Sequence, residues 1–318
     1  MTEEGKKFKN AVAAMDLGTN SNRLLIVNEK GVPIYRDVRH VALGDGLAEN
    51  GCFSELAMGR AICSFMDFSD RMREYGVKKY HAIATAACRM SDNTEEFKQE
   101  VRIASGIDLD VISEYEEARL TLLGARLNAP EDKKYLFVYD LGGGSTEITL
   151  ATNTENPEIL AMVSVPLGAR NATEIFHLND YNQKGAEELE NAVKKYLNQF
   201  LDKIKDVDYA GNVALIATSS TPLRLAAWIS RQGKYDKFAA DGVMVTTNDL
   251  DTLISKVLKM NFEERAASPY VGRNRAEIFI AALIIFRTIY QGLGCQELTA
   301  SLKGAQEAIV AELLKVKD

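Results

Sequence analysis

The chain has 318 residues, of which 46% are hydrophobic and 26% are charged, and its formal net charge at pH 7 is −7. This composition is typical of a globular protein, and the length fits about two domains of roughly 150 residues each. The acidic balance argues against a general nucleic-acid binder, which would carry a basic face, although a metal ion and a few arginines can still attract a polyanion locally.

The first part of the chain alternates between strand and helix patterns. Ser54 and Gly76 fit the N-cap and the left-handed C-cap of a long helix between them. Asp92 and Glu95 resemble a capping box that opens a further helix. The predicted strands are 11–15, 23–28, 34–41, 80–84 and 109–112, and the helices with two predicted ends are 54–75 and 114–127.

A polar, proline-containing segment, 128–133, precedes a second part with a similar order of elements, so we predict domains 1–130 and 131–318. Helix 275–291 is apolar throughout and is expected in the core. Strand meanders followed by helices and further strands, used twice, indicate an α/β fold. The predicted strands are 136–139, 147–151, 159–165 and 213–217, and the predicted helices are 185–205, 249–259, 275–291 and 304–315.

No segment has the pattern of a membrane span or a secretory leader. The longest apolar stretch, 278–286, is far shorter than the about 20 residues that cross a bilayer, and the run 11–15 is too short for a leader core. The cysteines show no metal-ligand spacing and are interpreted as small buried apolar residues; they are Cys52, Cys63, Cys88 and Cys295. We therefore predict a cytoplasmic protein with no membrane partner.

One phosphate-binding pattern occurs twice. Asp16-Leu17-Gly18-Thr19-Asn20-Ser21 recurs as Asp140-Leu141-Gly142-Gly143-Gly144-Ser145, each time after an apolar run. A Leu-Gly pair follows both copies at the same spacing, at 43–44 and 167–168, and Ile-Ala-Thr occurs at 83–85 and 216–218. Three matches in the same order indicate two related domains that face each other across a cleft.

The second copy has the chemistry for a phosphate and a metal ion. Its three glycines lack Cβ atoms, so backbone amides can approach phosphate oxygens, and the hydroxyls of Ser145 and Thr146 add donors. Asp140 and Glu147 flank the turn, and two carboxylates beside a phosphate suit Mg²⁺. The alternative is a glycine hairpin with solvated acids, which the first copy makes less attractive.

The first copy offers side-chain donors where the second offers glycine amides. Asn20, Ser21 and Arg23 are such donors, but Arg23 could also point outwards as a strand residue. Arg89, in a loop after the first Ile-Ala-Thr strand, suits phosphate as a planar donor or forms a surface salt bridge. Glu116 and Glu117 lie in a first helical turn, where the helix dipole alone explains acids. The residues by themselves do not select Glu117 as a catalytic base.

These motifs resemble the exopolyphosphatase and guanosine pentaphosphate phosphohydrolase (Ppx/GppA) family in its short two-domain form. Glu-Glu-Ala-Arg and Asp-x-Gly-Gly-Gly-Ser-x-Glu are the specific elements of the resemblance. Its segments, in family order, are 13–23, 83–89, 111–120, 140–147, 165–169 and 275–277. The resemblance implies two related actin-like, ribonuclease H-like α/β domains of the actin, Hsp70 and sugar-kinase (ASKHA) superfold around a central cleft.

The resemblance also implies a metal-dependent hydrolase of terminal phosphoanhydride bonds, with Mg²⁺ or another divalent cation such as Mn²⁺. By position, Glu117 matches the family's general base, Asp140 and Glu147 match the metal-binding carboxylates, and Arg89, also a catalytic candidate, assists in holding the phosphates. The implied substrate-binding residues are Asp16, Gly18, Thr19, Asn20, Ser21, Arg23, Gly142, Gly143, Gly144, Ser145 and Thr146. A homodimer is expected from the family.

Several family motifs are altered in this chain. Gly-Thr-Gly-Gly-Thr is replaced at 217–222 by Ala-Thr-Ser-Ser-Thr-Pro, and Arg-Leu-Gly-x-Gly-Leu lacks its arginine at 42–47. Arg-Ala-Asp appears as Arg-Ala-Glu at 275–277, and the late Ser-Asp-Arg-Gly-Leu-Arg-Glu-Gly motif is reduced at 301–308. The changes at 217–222, 275–277 and 301–308 weaken the phosphate contacts expected from the second domain.

The leading hypothesis is an exopolyphosphatase, in which water attacks the terminal phosphorus of inorganic polyphosphate. Guanosine pentaphosphate (pppGpp) 5′-phosphohydrolase is the close alternative. An ATP-dependent kinase or ATPase of the same superfold would need an adenosine pocket near 217–222, which is poor in glycine. A non-catalytic binder of alarmone or polyphosphate is the remaining alternative, and the altered late motif makes it plausible.

Overall fold

The computed structural model describes residues 8 and 10–315. The strands are β1 (Val12–Leu17), β2 (Ser21–Val27), β3 (Pro33–His40), β4 (Lys79–Ala84), β5 (Asp110–Val111), β6 (Tyr135–Leu141), β7 (Thr146–Thr152), β8 (Ile159–Val165), β9 (Val213–Thr218), β10 (Met244–Thr246) and β11 (Glu297–Ser301). The first helices are α1 (Leu47–Asn50), α2 (Glu55–Tyr75), α3 (Ala86–Met90), α4 (Thr94–Ser105), α5 (Glu114–Ala125), α6 (Ala169–Ile175) and α7 (Gln183–Ile204). The later helices are α8 (Ser220–Ile229), α9 (Lys237–Ala240), α10 (Thr247–Val257), α11 (Phe262–Ala267), α12 (Arg273–Ala276), α13 (Phe279–Gly292) and α14 (Ala305–Lys315), and a 3₁₀ turn spans Arg126–Asn128.

The chain divides into two compact units. The first unit contains the described residues up to Leu120 together with those from Ala305 onwards, and the second unit is Thr121–Gly304. This division differs from the predicted boundary between 130 and 131, because α5 continues across residue 120 and the last helix belongs to the first unit. Among the described residues, no helix combines the length and the apolar character that a membrane crossing needs.

The first unit is built on a mixed sheet with the order β3-β2-β1-β4-β5. β1 is antiparallel to β2 and parallel to β4, so the turn after β1 lies at the end where β4 also finishes. α2 packs its apolar face on this sheet and has the predicted ends: the Ser54 hydroxyl accepts from the Ala57 N–H, and Gly76 takes the left-handed C-cap conformation.

The second unit repeats this topology. Its sheet has the order β10-β11-β9-β6-β7-β8, in which β8-β7-β6-β9-β11 matches the order and directions of the first sheet. The matching sheets confirm the two related α/β units expected from the repeated motif. Because β6 is the counterpart of β1, each copy of the motif begins at the end of the equivalent strand of its sheet.

Two helix predictions need correction. The predicted helix 275–291 is divided into α12 and α13, which are separated by Glu277 and Ile278, although α13 is buried as expected. The capping box of Asp92 and Glu95 is wrong, since α4 begins at Thr94 after Asn93. The Asn93 side chain instead bonds to the backbone of Phe53, and this contact fixes the entry to the helix.

The prediction that the cysteines are small buried residues is wrong for Cys52 and Cys63. Cys88 is buried, Cys295 is half-buried, and Cys52 and Cys63 are exposed. Cys52 lies in the loop after α1, and Cys63 falls on the outward face of α2. Helical periodicity, not residue type, decides the exposure of Cys63.

Candidate active site

The glycine turn, residues 142–144, joins β6 to β7 and is closed by a bond from the Gly142 N–H to the Ser145 carbonyl (3.0 Å). All its carbonyls accept hydrogen bonds from one segment, residues 168–171, which we call the clamp. These bonds run from Ala169 N to Gly142 O (2.9 Å), from Arg170 N to Gly143 O (2.8 Å), from Asn171 N to Gly143 O (3.2 Å) and from Asn171 Nδ2 to Gly144 O (2.8 Å).

The clamp determines where the amides of the glycine turn point. Across a trans peptide, the carbonyl of one residue and the N–H of the next point in opposite directions. Since the three carbonyls face the clamp, the N–H groups of Gly143, Gly144 and Ser145 face away from it. Successive N–H groups with a common direction form a cradle for an anion such as phosphate.

The clamp must begin with glycine. A Cβ atom at Gly168 would lie 2.5 Å from the Gly143 carbonyl carbon and 2.5 Å from the Gly144 nitrogen, which are backbone atoms with little freedom to move. At Gly44, in the first unit, an added Cβ would instead meet the Thr19 side chain, at 2.2 Å. The glycine of the second Leu-Gly pair therefore has a physical cause in the backbone of the turn. It lets a second stretch of backbone lie directly against the turn.

Two carboxylates border the glycine turn. Asp140 and Glu147 are directly opposite each other on the antiparallel strands β6 and β7, so their side chains project from the same face of the sheet. Glu147 is only 4% exposed, and the Ser164 hydroxyl donates to its Oε1 at 3.1 Å. Among the described residues, no group of three or more His, Cys, Asp or Glu side chains is arranged to hold a metal ion. Two carboxylates suit Mg²⁺, which takes its remaining ligands from substrate oxygens and water.

The first unit has a turn of the same construction over residues 18–21. The Gly18 N–H donates to the Ser21 carbonyl (3.0 Å), and residues 41–44 act as its clamp. The bonds from this clamp run from Gly44 N to Thr19 O (2.9 Å), from Val41 N to Asn20 O (3.2 Å) and from Ala42 N to Asn20 O (3.0 Å). By the same peptide geometry, the N–H groups of Asn20 and Ser21 point away from the clamp.

The two turns differ in the charge beside them. Arg23 is opposite Asp16 in the β1–β2 pair, where Glu147 stands opposite Asp140 in the second unit. Arg23 Nη1 is 3.1 Å from Asp16 Oδ2, so Arg23 forms an ion pair across the strands. Burial raises the pKa of Asp16, and the neighbouring Arg23 opposes that rise. Of these two turns, the second has paired carboxylates, which suit a divalent cation.

The first unit also brings Arg89 and Glu117 together. Arg89 Nη1 donates to Glu117 Oε2 at 2.8 Å and to the Ile112 carbonyl at 3.1 Å, and both side chains are largely buried. Arg89 lies in α3, not in the predicted loop, because a short helix follows β4 directly. Its salt bridge is therefore not the surface pair that the sequence also allowed.

The structure separates the adjacent glutamates that the sequence could not rank. Glu116 receives a bidentate pair of hydrogen bonds from Arg119, at 2.8 Å each, which lowers the pKa of Glu116. Glu117 is instead directed to Arg89. Glu116 thus forms an ion pair with Arg119 on the same helix, whereas Glu117 lies beside Arg89, which is a second candidate site residue.

Thr146 has a different environment from the one expected of a phosphate donor. Its side chain is buried, and its hydroxyl donates to the Leu167 carbonyl at 2.7 Å. The sequence did not identify Asn171, whose side chain bonds to the glycine turn. The spacing of the Leu-Gly pair indicated this segment, but no pattern distinguished that asparagine from an ordinary helix residue.

The altered segment 217–222 keeps a glycine-like backbone without glycine. β9 ends at Thr218, α8 begins at Ser220, and Ser219 between them has φ 90° and ψ 178°. That region of backbone space is adopted almost only by glycine. The Ser219 hydroxyl is buried and has no hydrogen-bond partner among the described residues.

Comparison with known proteins identifies the family. The model of the Ppx/GppA phosphatase family matches residues 25–317. The bifunctional 3-dehydroquinate synthase/phosphatase of Fusobacterium nucleatum is 28% identical; the match covers 91% of this chain and 44% of that protein. The chain therefore spans less than half the length of this relative.

Solved structures show the same fold. An exopolyphosphatase from Cytophaga hutchinsonii superposes with a TM-score of 0.88 at 23% identity, over 97% of this chain and 99% of that one. A Ppx/GppA family member from Aquifex aeolicus superposes with a TM-score of 0.78 at 25% identity, over 96% and 98% of the two chains. These matches confirm the predicted α/β fold with two actin-like domains.

Proposed function

The chain belongs to the Ppx/GppA phosphatase family, whose members hydrolyse phosphoanhydride bonds, and we propose that it is an exopolyphosphatase that releases the terminal phosphate of inorganic polyphosphate. The observation that carries the proposal is the amide cradle of the glycine turn with two carboxylates beside it. Oriented amides bind phosphate oxygens, and paired carboxylates suit a phosphate-bound cation. Of the two turns, the second combines both features.

In the proposed reaction, water attacks the terminal phosphorus while the bond from phosphorus to the bridging oxygen breaks. Glu117 accepts the proton that the water loses, and the products are phosphate and a polymer shorter by one phosphate. Arg89 holds the Glu117 carboxylate at 2.8 Å, which limits the positions from which Glu117 can accept that proton. Positioning and charge neutralisation supply most of the catalysis in phosphoryl transfer.

We assign the divalent cation, Mg²⁺ or Mn²⁺, to Asp140 and Glu147. When bound, it would neutralise charge on the phosphate oxygens and lower the barrier for attack by water. The amides of the glycine turn and of residues 18–21 would orient the phosphates. Variants that remove the Glu117 carboxylate, or those of Asp140 and Glu147, should therefore lose activity.

The test is phosphate release from long-chain polyphosphate and tripolyphosphate in the presence of Mg²⁺. We expect Glu117→Gln to lower kcat by about 100-fold or more, because removal of a general base usually costs 10²–10⁴ in rate. Glu116→Gln is the matched control, since the adjacent carboxylate is bound by Arg119. Full activity of the Glu117 variant would contradict its assigned role.

The substrate assignment is tested in parallel with pppGpp and ATP. We expect the highest kcat/KM for polyphosphate, with phosphate as the released product. A higher kcat/KM for pppGpp would replace the proposed substrate, and polyphosphate binding without hydrolysis would favour a binding protein. We also propose a cytoplasmic location and, from the family resemblance, a homodimer. Light scattering of the purified protein would test the homodimer.

A further inference from the structure

We propose that Asn171 is a positioning residue that holds the glycine turn in its phosphate-binding conformation. The inference rests on the proposed function, since it assumes that the turn binds phosphate. Asn171 does not face the substrate in this scheme. It acts through the peptide between Gly144 and Ser145, whose N–H group belongs to the cradle.

The Asn171 side chain connects three parts of the backbone. Its Oδ1 accepts from the Gly168 N–H at 2.7 Å, and its Nδ2 donates to the Gly144 carbonyl at 2.8 Å and to the Pro166 carbonyl at 3.1 Å. The residue is 5% exposed, so water offers little replacement for these bonds. One primary amide thus joins the end of β8, the start of the clamp and the glycine turn.

The chemistry of these contacts requires an amide. The Gly168 N–H needs an acceptor, and the two carbonyls need one donor each. Only the side chains of Asn and Gln carry a carbonyl acceptor and two N–H donors in one planar amide. Aspartate would keep the acceptor and place a charged oxygen against two carbonyl oxygens. The contact is therefore sensitive to a change of one side-chain nitrogen to oxygen.

The Gly144 carbonyl differs from its neighbours in how it is held. The carbonyls of Gly142 and Gly143 accept from backbone N–H groups of the clamp, which no side-chain substitution removes. Gly144 accepts from a side chain, and glycine peptides rotate easily because no Cβ restricts them. Loss of the Asn171 donor would free the peptide that directs the Ser145 N–H into the cradle.

The experiment uses the full chain labelled with ¹⁵N-glycine and titrated with orthophosphate, which the enzyme does not hydrolyse. The variant is Asn171→Asp. The matched control is Asn182→Asp, because Asn182 makes the same type of contacts at α7: its Oδ1 accepts from the Gly185 N–H and its Nδ2 donates to the His177 carbonyl. Thermal melts establish that both variants are folded, and Asn171→Ser replaces the aspartate variant if that protein does not fold.

In the wild type and in the Asn182 variant, we expect orthophosphate to shift the amide signals of Gly143 and Gly144. In the Asn171 variant, the affinity for orthophosphate should fall about tenfold or more, and kcat/KM for polyphosphate should fall with it. A merely structural role of Asn171 would lower the melting temperature of the Asn171 variant and leave its phosphate affinity unchanged. Wild-type affinity in a folded Asn171 variant would overturn the inference.

The two proposals can fail separately. A wild type that binds orthophosphate at these glycines but releases no phosphate from polyphosphate contradicts the proposed function and leaves the role of Asn171 intact. A wild type whose glycine signals do not respond to orthophosphate contradicts the inference about Asn171. Activity of the wild type on polyphosphate would still support the proposed function in that case.

Discussion

Ser219 has a backbone conformation that costs a non-glycine residue free energy. Its φ of 90° and ψ of 178° lie in a region populated almost only by glycine, and such strain costs about 1–3 kcal/mol. Ser219→Gly should therefore raise the free energy of unfolding by about 1–3 kcal/mol, as measured by urea denaturation. Ser220→Gly is the control, because Ser220 begins α8 and glycine there should be neutral or destabilising. If both substitutions changed the free energy of unfolding equally, the result would contradict backbone strain at Ser219.

The four cysteines should differ sharply in their reactivity with a thiol reagent. Cys52 and Cys63 are exposed, whereas burial raises the pKa of the Cys88 thiol to about 12 and that of Cys295 to about 11. The thiolate is the reactive form, so Cys88 should stay unmodified in the folded protein at neutral pH. We expect a fast phase that disappears in a Cys52→Ser, Cys63→Ser double variant, and rapid labelling of Cys88 would refute the burial argument.

Among the structural elements, the clamps are the parts that the sequence predicts least completely. The repeated Leu-Gly pair is evident from the spacing, but the reason for the glycine appears only when the clamp backbone is seen against the glycine turn. Short helices such as α3 and α6 escape prediction because one or two turns do not establish a helical period. The same limit explains why Arg89 is predicted in a loop.

The Gly168→Ala substitution tests whether the clamp must lie in close contact with the glycine turn. The added Cβ would meet backbone atoms of the glycine turn at 2.5 Å, so we expect a loss of about 1–3 kcal/mol of stability and a larger KM for polyphosphate. Gly59→Ala is the matched control, because a Cβ there has no atom within 4 Å and alanine favours the helix by about 0.5–1 kcal/mol. Urea denaturation and steady-state kinetics of both variants measure the difference. A Gly168 variant as stable and active as the control would contradict the close approach.

At the scale of the whole molecule, the sequence predicts two related units, but the predicted domain 131–318 includes the last helix, which the structure groups with the first unit. Strands form where apolar runs occur, and the repeated motif by itself indicates the duplication that the two matching sheets confirm. The sequence of α14 does not indicate on which sheet the helix packs, because its apolar face could pack on either sheet. The structure places it on the first sheet, where the Gln306 amide donates to the Ala14 carbonyl at 3.0 Å.

The ion pairs of α14 test how much the first unit depends on its last helix. Glu307 pairs with Arg36, and both side chains are largely buried, at 10% and 16% exposure. Glu312 pairs with Arg119, which is also bound to Glu116, and this second pair is 44% and 34% exposed. Breaking a buried pair leaves a charge without compensation, whereas an exposed pair contributes little.

Glu307→Gln should therefore lower the free energy of unfolding by about 3 kcal/mol, and Glu312→Gln by at most about 1 kcal/mol. Relief of repulsion between Glu307 and Asp16 reduces the first effect, because the Glu307 charge contributes to the raised pKa of Asp16. Urea denaturation at neutral pH, followed by circular dichroism, measures both. Equal losses of unfolding free energy in the two variants would mean that burial does not set the strength of the Arg36–Glu307 pair. The contribution of α14 to stability would then have to come from its apolar face and from the hydrogen bond of Gln306.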